Sequence, residues 1–464
     1  MRKREQKAAD LGHGKVGKLL FQLALPAITA QLVNMLYNIV DRMYIGHIPE
    51  IGATALTGVG VIFPILMIIS AFSSLIGMGG APRASIKMGQ QDQRGAEKIL
   101  GNCFVTLIGI SVVLTAVFLI FGKDLLLLFG ASDKTISYGL QYMTIYVSGT
   151  IFVQMALGLN TFISAQGFAK ISMMTVIIGA ISNIILDPIF IFALDMGVRG
   201  AALATIISQA ISSIWVVRFL LGPTTCLRIR KENLAWKPAI MLPVLALGVS
   251  PFIMQSTESL VNICLNSSLQ RYGGDMYVGA MTIMASVMQI LMMPLVGLTQ
   301  GAQPIISFNF GAGQRDRVKR TFKLLLISSL AFCTAFWLLV MLFPNMFIMI
   351  FNNDPALVEI TRRTMRIYMA GAFLLGAQIA CQQTFLSLGQ ALITMVLAML
   401  RKIILLIPLI YILPLFLADK VTAVFLAEPI ADVLAAATTV IVFTVMVKGI
   451  LARGAAATPI REEE

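Results

Sequence analysis

Five acidic residues stand inside stretches that are otherwise apolar: Asp41, Asp187, Glu258, Glu428 and Asp432. A carboxylate in a hydrocarbon-like setting costs roughly 2.5–3.5 kcal/mol on insertion scales, so each is a candidate for binding or moving charge. Asp41 follows Gln31, Asn34 and Asn38 at spacings of three and four, which puts all four on one helical face. That face must look into a bundle or a wet cavity. Pro26, earlier on the same stretch, removes a backbone hydrogen bond and predicts a bend or hinge. Asn183 and Asp187 are one helical turn apart, with Pro188 next. An amide and a carboxylate so spaced can share a cation or a proton. Two carboxylates brought together from different helices cannot both stay bare in a low dielectric, so such a pair would exchange H+ or a cation with the medium.

Glu258, Asn262 and Asn266 again share one face, and Glu428 and Asp432 stand one turn apart around Pro429. These predict a second polar cavity, lined by Glu258, Asn262, Asn266 and Asp432. Arg401 and Lys402 sit in the middle of an apolar stretch. Arg401 needs an acid or backbone carbonyls as partner, whereas Lys402 has the length to snorkel to an interface. Plainer readings stand beside these: a polar seam between helices for the Asp41 face, a helix-end cap for Asp187, a place near the outer interface for Glu428 and Asp432.

The elements that carry these groups are membrane helices. The chain has 464 residues, is 58% hydrophobic and only 12% charged, where a soluble domain has roughly 25% charged residues. Twelve apolar stretches reach the length of about 20 residues that a span needs. They run over 19–45, 53–78, 99–121, 137–157, 172–194, 200–221, 240–269, 277–300, 321–343, 358–384, 391–417 and 421–447. The expected organisation is a cytoplasmic segment 1–18, a first lobe 19–221, a basic linker 222–239, a second lobe 240–447 and a cytoplasmic tail 448–464. Most of the 35 Lys and Arg residues then fall on one side, which predicts both termini in the cytoplasm. The net charge of +13 is read as loop charge, with no nucleic-acid partner. No apolar leader precedes the first span, which is expected to act as the targeting element. The five cysteines form no CxxC pair and read as small buried hydrophobes, with no structural metal. The 27 methionines and 27 phenylalanines read mostly as packing, with clusters such as Met292-Met293 able to line an adaptable cavity.

The two halves repeat each other. Gly79, Pro82, Ser85 and Gly89 return as Gly301, Pro304, Ser307 and Gly311, a displacement of 222 (304 − 82). The same displacement carries Phe129, Met143, Tyr146 and Gly149 onto Phe351, Met365, Tyr368 and Gly371. Six spans per repeat is an even number, so both enter the membrane from the same side, and the repeats are parallel. Duplicated helical bundles of this kind are the usual build of secondary transporters. No GxxxxGK[ST], HExxH or GxSxG occurs, so the signatures of an ATPase, a zinc protease or a serine hydrolase are absent, and an enzyme is not expected.

Four segments together resemble the multidrug and toxic compound extrusion (MATE) family, and within it the bacterial MepA-like and DinF-like branches. They are NIILDPIF at 183–190, DRMYIG at 41–46, the doubled GxxPxxSxxxG and LRKIILLIPL at 400–409. The resemblance covers residues 15–450. It implies an all-α, two-lobed, twelve-helix antiporter that alternates between inward-facing and outward-facing forms. It also implies exchange of H+ or Na+ for amphipathic, often cationic, drugs, with no cofactor. The family's cation site falls on Asp41 and Asp187, with Asn183, Asn160, Thr205, Tyr37 and Tyr142 around them. Asn34 stands where some relatives carry Gln, and Na+ could be held at Asp41, Asn183 and Asp187. Glu258 matches a second-lobe carboxylate of some branches only.

The resulting expectation is a monomeric, cation-coupled drug exporter of the bacterial inner, or sole, membrane. Ion entry at Asp41 and Asp187 would repack the pocket and release drug outward. The main rival is a lipid-linked sugar flippase of the same superfamily, which needs cationic cavity residues, and here only Arg42, Arg401 and Lys402 offer them. An intramembrane enzyme using Asp41 and Asp187 as a catalytic pair has no supporting motif.

Overall fold

The computed structural model describes residues 9–129, 132, 134–351 and 354–453. The outer parts of the expected terminal segments, 1–8 and 454–464, lie outside the described residues, as do parts of two turns. Among those described there is no strand. The helices are α1 (Val16–Gly46), α2 (Gly52–Gly89), α3 (Gln93–Leu128), α4 (Ile136–Ser148), α5 (Thr150–Ala165), α6 (Ala169–Pro188) and α7 (Gly197–Leu221). After the linker come α8 (Pro238–Gly273), α9 (Asp275–Gly311), α10 (Arg315–Leu342), α11 (Pro344–Ile348), α12 (Pro355–Tyr368), α13 (Leu375–Ser387), α14 (Ala391–Met399), α15 (Ile407–Phe416) and α16 (Lys420–Arg453). Short π-helical turns extend α6 at Ile189–Ala193 and join α14 to α15 at Leu400–Leu406.

Ten helices are long and apolar enough to span, and two bent pairs raise the number to twelve. The bends are 57° between α4 and α5 and 48° between α12 and α13. They fall at Gly149 and Gly371, two of the repeated positions. Each of the twelve expected stretches is helical, and most helices run beyond them. α2 is the clearest case: hydropathy ends its span near residue 78, yet the helix continues through Pro82 to Gly89. The continuation is buried by the other half, which hydropathy along one chain cannot show.

The halves, α1–α7 and α8–α16, meet through α1 on α9, α2 on α8 and α2 on α9. The repeated residues make this contact twice over. A β-carbon on Gly89 would collide with the Phe308 carbonyl oxygen, and one on Gly311 with the Ile86 carbonyl oxygen. Phe308 is itself the repeat of Ile86 (308 − 86 = 222), so the two contacts are related by the repeat. Ser85 donates to the Ala165 carbonyl (3.3 Å), and its repeat Ser307 donates to the Ser387 carbonyl (2.7 Å). Backbone approach this close is how helices pack where no water drives them together.

Further along, α1 and α8 each place one glutamine across the divide. Gln31 donates to Gln300 Oε1 (3.2 Å), and Gln255 donates to the Ser70 hydroxyl (3.0 Å) and accepts from Ser74 (3.1 Å). Beyond these points Leu32, Asn34, Leu36 and Asn38 on α1 and Glu258, Leu260 and Ile263 on α8 are exposed. The halves are thus joined at the Gly89/Gly311 end and part towards the other.

Four cysteines are buried, Cys226 in the linker is exposed, and all five are free. The linker is pinned under the first half: Gln166 Oε1 accepts from Thr225 Oγ1 and from the Cys226 and Leu227 amides at 2.8–2.9 Å, and Arg230 pairs with buried Glu97.

Candidate functional site

α1 and α6 pack along each other and bring Asp41 to Asp187. Asp187 is fully buried and Asp41 is 9% exposed. Asp187 Oδ1 accepts from Asn183 Nδ2 (3.2 Å), the amide one turn earlier on α6. The same Nδ2 donates to Thr205 Oγ1 on α7 (3.3 Å), which donates onward to the Ala201 carbonyl (3.0 Å). Tyr37 on α1 and Tyr142 on α4 lie beside the same group, close enough to interact with Asp41. Tyr142 stacks on Tyr146, with ring centroids 6.0 Å apart. Four helices therefore meet in one polar knot.

The two carboxyl groups lie near enough to interact electrostatically. Both are acceptors when ionised, so neither can satisfy the other without a proton or a cation between them. Asp41 Oδ1, Asn183 Oδ1 and Asp187 Oδ2 are buried and accept nothing from the protein. Buried oxygens left without a protein donor are of the chemical type that a hard monovalent cation or a proton takes. Arg42, next to Asp41 in the chain, is exposed and lies 5.6 Å from the centroid of the Phe63 ring.

Two expected members stand apart. Asn160 on α5 donates to the Ser172 carbonyl (3.2 Å). Ser172 precedes Asn183 by 11 residues on α6, about 16 Å of helix, which holds Asn160 away from the acids. Asn34 is exposed, and its carbonyl accepts from Asn38 Nδ2 (2.7 Å). Pro26 lies within the continuous helix α1.

In the second half the expected polar residues are arranged by Arg401 and Lys402. Arg401 bonds Asp432 Oδ1 (2.8 Å from Nε, 2.7 Å from Nη2) and Glu428 Oε1 (3.1 Å). Asp432 is 1% and Glu428 6% exposed, so both are buried within the protein. Lys402 does not snorkel: it is 7% exposed, and its ammonium turns inward to Glu258 and to the Met254 carbonyl (3.2 Å). The carboxylate of Glu258 and a backbone carbonyl satisfy that charge instead. Asn262 and Asn266 are half-buried on α8, and no hydrogen bond among the described residues joins them to Glu258. Sequence reasoning missed these pairings because partners 27 to 148 residues apart leave no local pattern; a cation mid-span was the only signal.

The MatE family model matches residues 26–189 and again 251–412, once in each repeat. The chain belongs to the MATE family of membrane transporters. Among its MATE relatives, the multidrug export protein MepA of Staphylococcus haemolyticus is 25% identical over 359 residues, 77% of this chain and 78% of that one. The MepA of Staphylococcus aureus strain N315 is 23% identical over 398 residues, 86% and 87% of the two chains. The MATE multidrug transporter DinF-BH, solved in complex with a ligand, is 34% identical with a TM-score of 0.88, over 97% of this chain and all of that one. A MATE in complex with MaD3S shares the fold at a TM-score of 0.89 and 20% identity, over 96% and 99% of the chains. The two-lobed MATE architecture is thus that of this chain.

Proposed function

We propose that this chain is a cation-coupled exporter of amphipathic, often cationic, small molecules, working by alternating access in a bacterial cell membrane. The observation that carries the reading is the Asp41–Asp187 pair, buried and with unpartnered oxygens beside it. The printed names of the MepA relatives and of DinF-BH support the substrate class. Asp41, Asp187 and Asn183 hold the coupling ion, H+ or Na+, and Thr205, Tyr37 and Tyr142 orient them. Asn160 and Asn34 act outside that shell. Both termini and the joined Gly89/Gly311 end face the cytoplasm, so the open cleft faces outward. The functional unit is one chain in its lipid bilayer.

Ion binding neutralises the acid pair, which lowers the affinity for a cationic substrate in the outward-open form. Pro26 supplies the bend in α1 as the knot repacks. Coupling requires that ion and substrate prefer different states, and the shared acids provide that opposition. The flippase reading is weakened by the pairing of Arg401 and Lys402 with acids, which leaves them poor diphosphate ligands.

The test uses purified protein in liposomes with a pH gradient or a Na+ gradient imposed separately. Ethidium movement is expected under one gradient in the wild type, and at least about tenfold slower in Asp41→Asn. Undiminished movement in Asp41→Asn overturns the acid-pair mechanism. No gradient-driven movement of any organic cation turns the reading to lipid-linked substrates.

A further inference from the structure

The two walls of the cleft are built from repeated helices but differ in charge. Gln31 and Gln255, the last cross-half hydrogen bonds before the halves part, are 224 residues apart (255 − 31). One turn further along, the same displacement makes Asn34 on α1 the counterpart of Glu258 on α8. Both are exposed, the Glu258 side chain by 57%. The floor of the cleft thus carries an amide on one wall and a carboxylate on the other.

That carboxylate is not free. Lys402 rises from the π-helical turn behind α8, buried along its length, and sets its ammonium on Glu258 and the Met254 carbonyl. Arg401, its neighbour, balances Asp432 and Glu428 deeper in the same half. The first half has nothing equivalent. For displacements of 222 to 224, its counterparts of Arg401 and Lys402 fall within residues 177–180 (IIGA), all uncharged, on α6 just before Asn183 and Asp187. Asp41 and Asp187 therefore have no ion-pair partner among the described residues, while a tethered cation faces the membrane carboxylates Glu258, Glu428 and Asp432 of the other half.

We propose that Lys402 is a built-in counter-ion and a determinant of substrate charge: it occupies Glu258, so that the cleft accepts organic monocations and discriminates against dications. This deepens the exporter reading and rests on it for transport. The physical basis is additive charge. A dication spanning the cleft needs a second anion opposite the Asp41 side, and Glu258 is in place for that role but already satisfied. A second positive group arriving there must displace Lys402, whose charge, buried and left beside it, repels it.

The probes are ethidium and propidium, which share one chromophore and carry one and two positive charges. Binding to purified protein is read by fluorescence polarisation, and transport in the liposomes above. The wild type is expected to favour ethidium. Lys402→Met, an apolar side chain of similar length, should narrow that preference by about tenfold, the scale of one added charge contact at partly wet distance. Lys402→Arg should retain the preference, and Lys402→Met with Glu258→Gln should restore it. An unchanged preference in Lys402→Met, or one that narrows equally in the double variant, overturns the proposal. Thermal melting checks the fold, and Lys402→Gln replaces Lys402→Met if the latter does not melt cooperatively. Propidium binding gained in Lys402→Met and lost in the double variant supports the subsite even if no dye is transported, in which case only the export reading fails.

Discussion

Asp187 and Arg401 show how differently one chemistry can be set in two repeats. Asp187 is held by a neutral amide and faces another acid, whereas Asp432 and Glu428 share an arginine. Asp187→Asn would keep the shape and the contact to Asn183 and remove the exchangeable charge. Gradient-driven dye movement should fall by at least about tenfold while the melting temperature holds or rises, because a buried charge is gone. Arg401→Met should act in the opposite sense, stranding two interior carboxyls at a cost of about 3–5 kcal/mol. Its melting temperature should drop sharply, and Asp432→Asn together with Glu428→Gln should recover much of the loss. A drop that the added substitutions do not relieve would mean that Arg401 acts by packing. The acids of both clusters were visible in the sequence because a charge in an apolar run is conspicuous. Asn183, one turn from Asp187, was visible too, but the partners in the second cluster were not, since Arg401 meets Glu428 and Asp432 only after α14–α15 folds against α16.

At the scale of the element, spans were readable wherever lipid faces them, because lipid imposes hydropathy. They were less readable where protein faces them. Residues 79–89 carry three glycines, a proline and two basic residues, which on hydropathy end a span, yet α2 runs through them. The repeat marked the same residues as special without saying that they form the contact between halves. Gly311→Leu should therefore open the joined end, since its β-carbon meets the Ile86 carbonyl with no flexible side chain to yield. Spin labels on α2 and α9 beside that end would report a longer distance than in the wild type. An unchanged distance would show that α2 and α9 can slide to make room. The π-helical turn 400–406 was also outside what periodicity predicts. It inserts a wider turn at the point where two successive cations must both face inward, a use of π turns seen at functional sites.

For the molecule as a whole, the parallel repeat explains how one chain builds two walls around a shared cleft, and the segment before α1 adds a feature the repeat lacks. Residues 9–14 cross the joined end. The Ala9 amide donates to the Gly167 carbonyl of the first half (3.3 Å). The Leu11 carbonyl accepts from Asn309 Nδ2 (2.9 Å) and Arg317 Nη2 (3.0 Å) of the second, and the Gly14 carbonyl accepts from Arg317 (2.8 Å). Leu11 is 5% exposed, in an apolar cluster with Ala169 of the first half and Ile305, Phe310 and Val318 of the second. A strap that binds both halves stabilises only the form in which they are together. Arg317→Ala removes two of its anchors and the bond from Arg317 Nε to Asn309 Oδ1 (2.8 Å) that orients a third. At about 1 kcal/mol per hydrogen bond, the balance should shift towards opening at this end by roughly tenfold or more. Distances between labels on the turns at 91 and 313 should lengthen or become bimodal in Arg317→Ala, with Arg317→Lys intermediate because one ammonium cannot serve the same fork of acceptors. Identical distributions in all three proteins would mean that the helix contacts at Gly89 and Gly311 hold the end shut unaided.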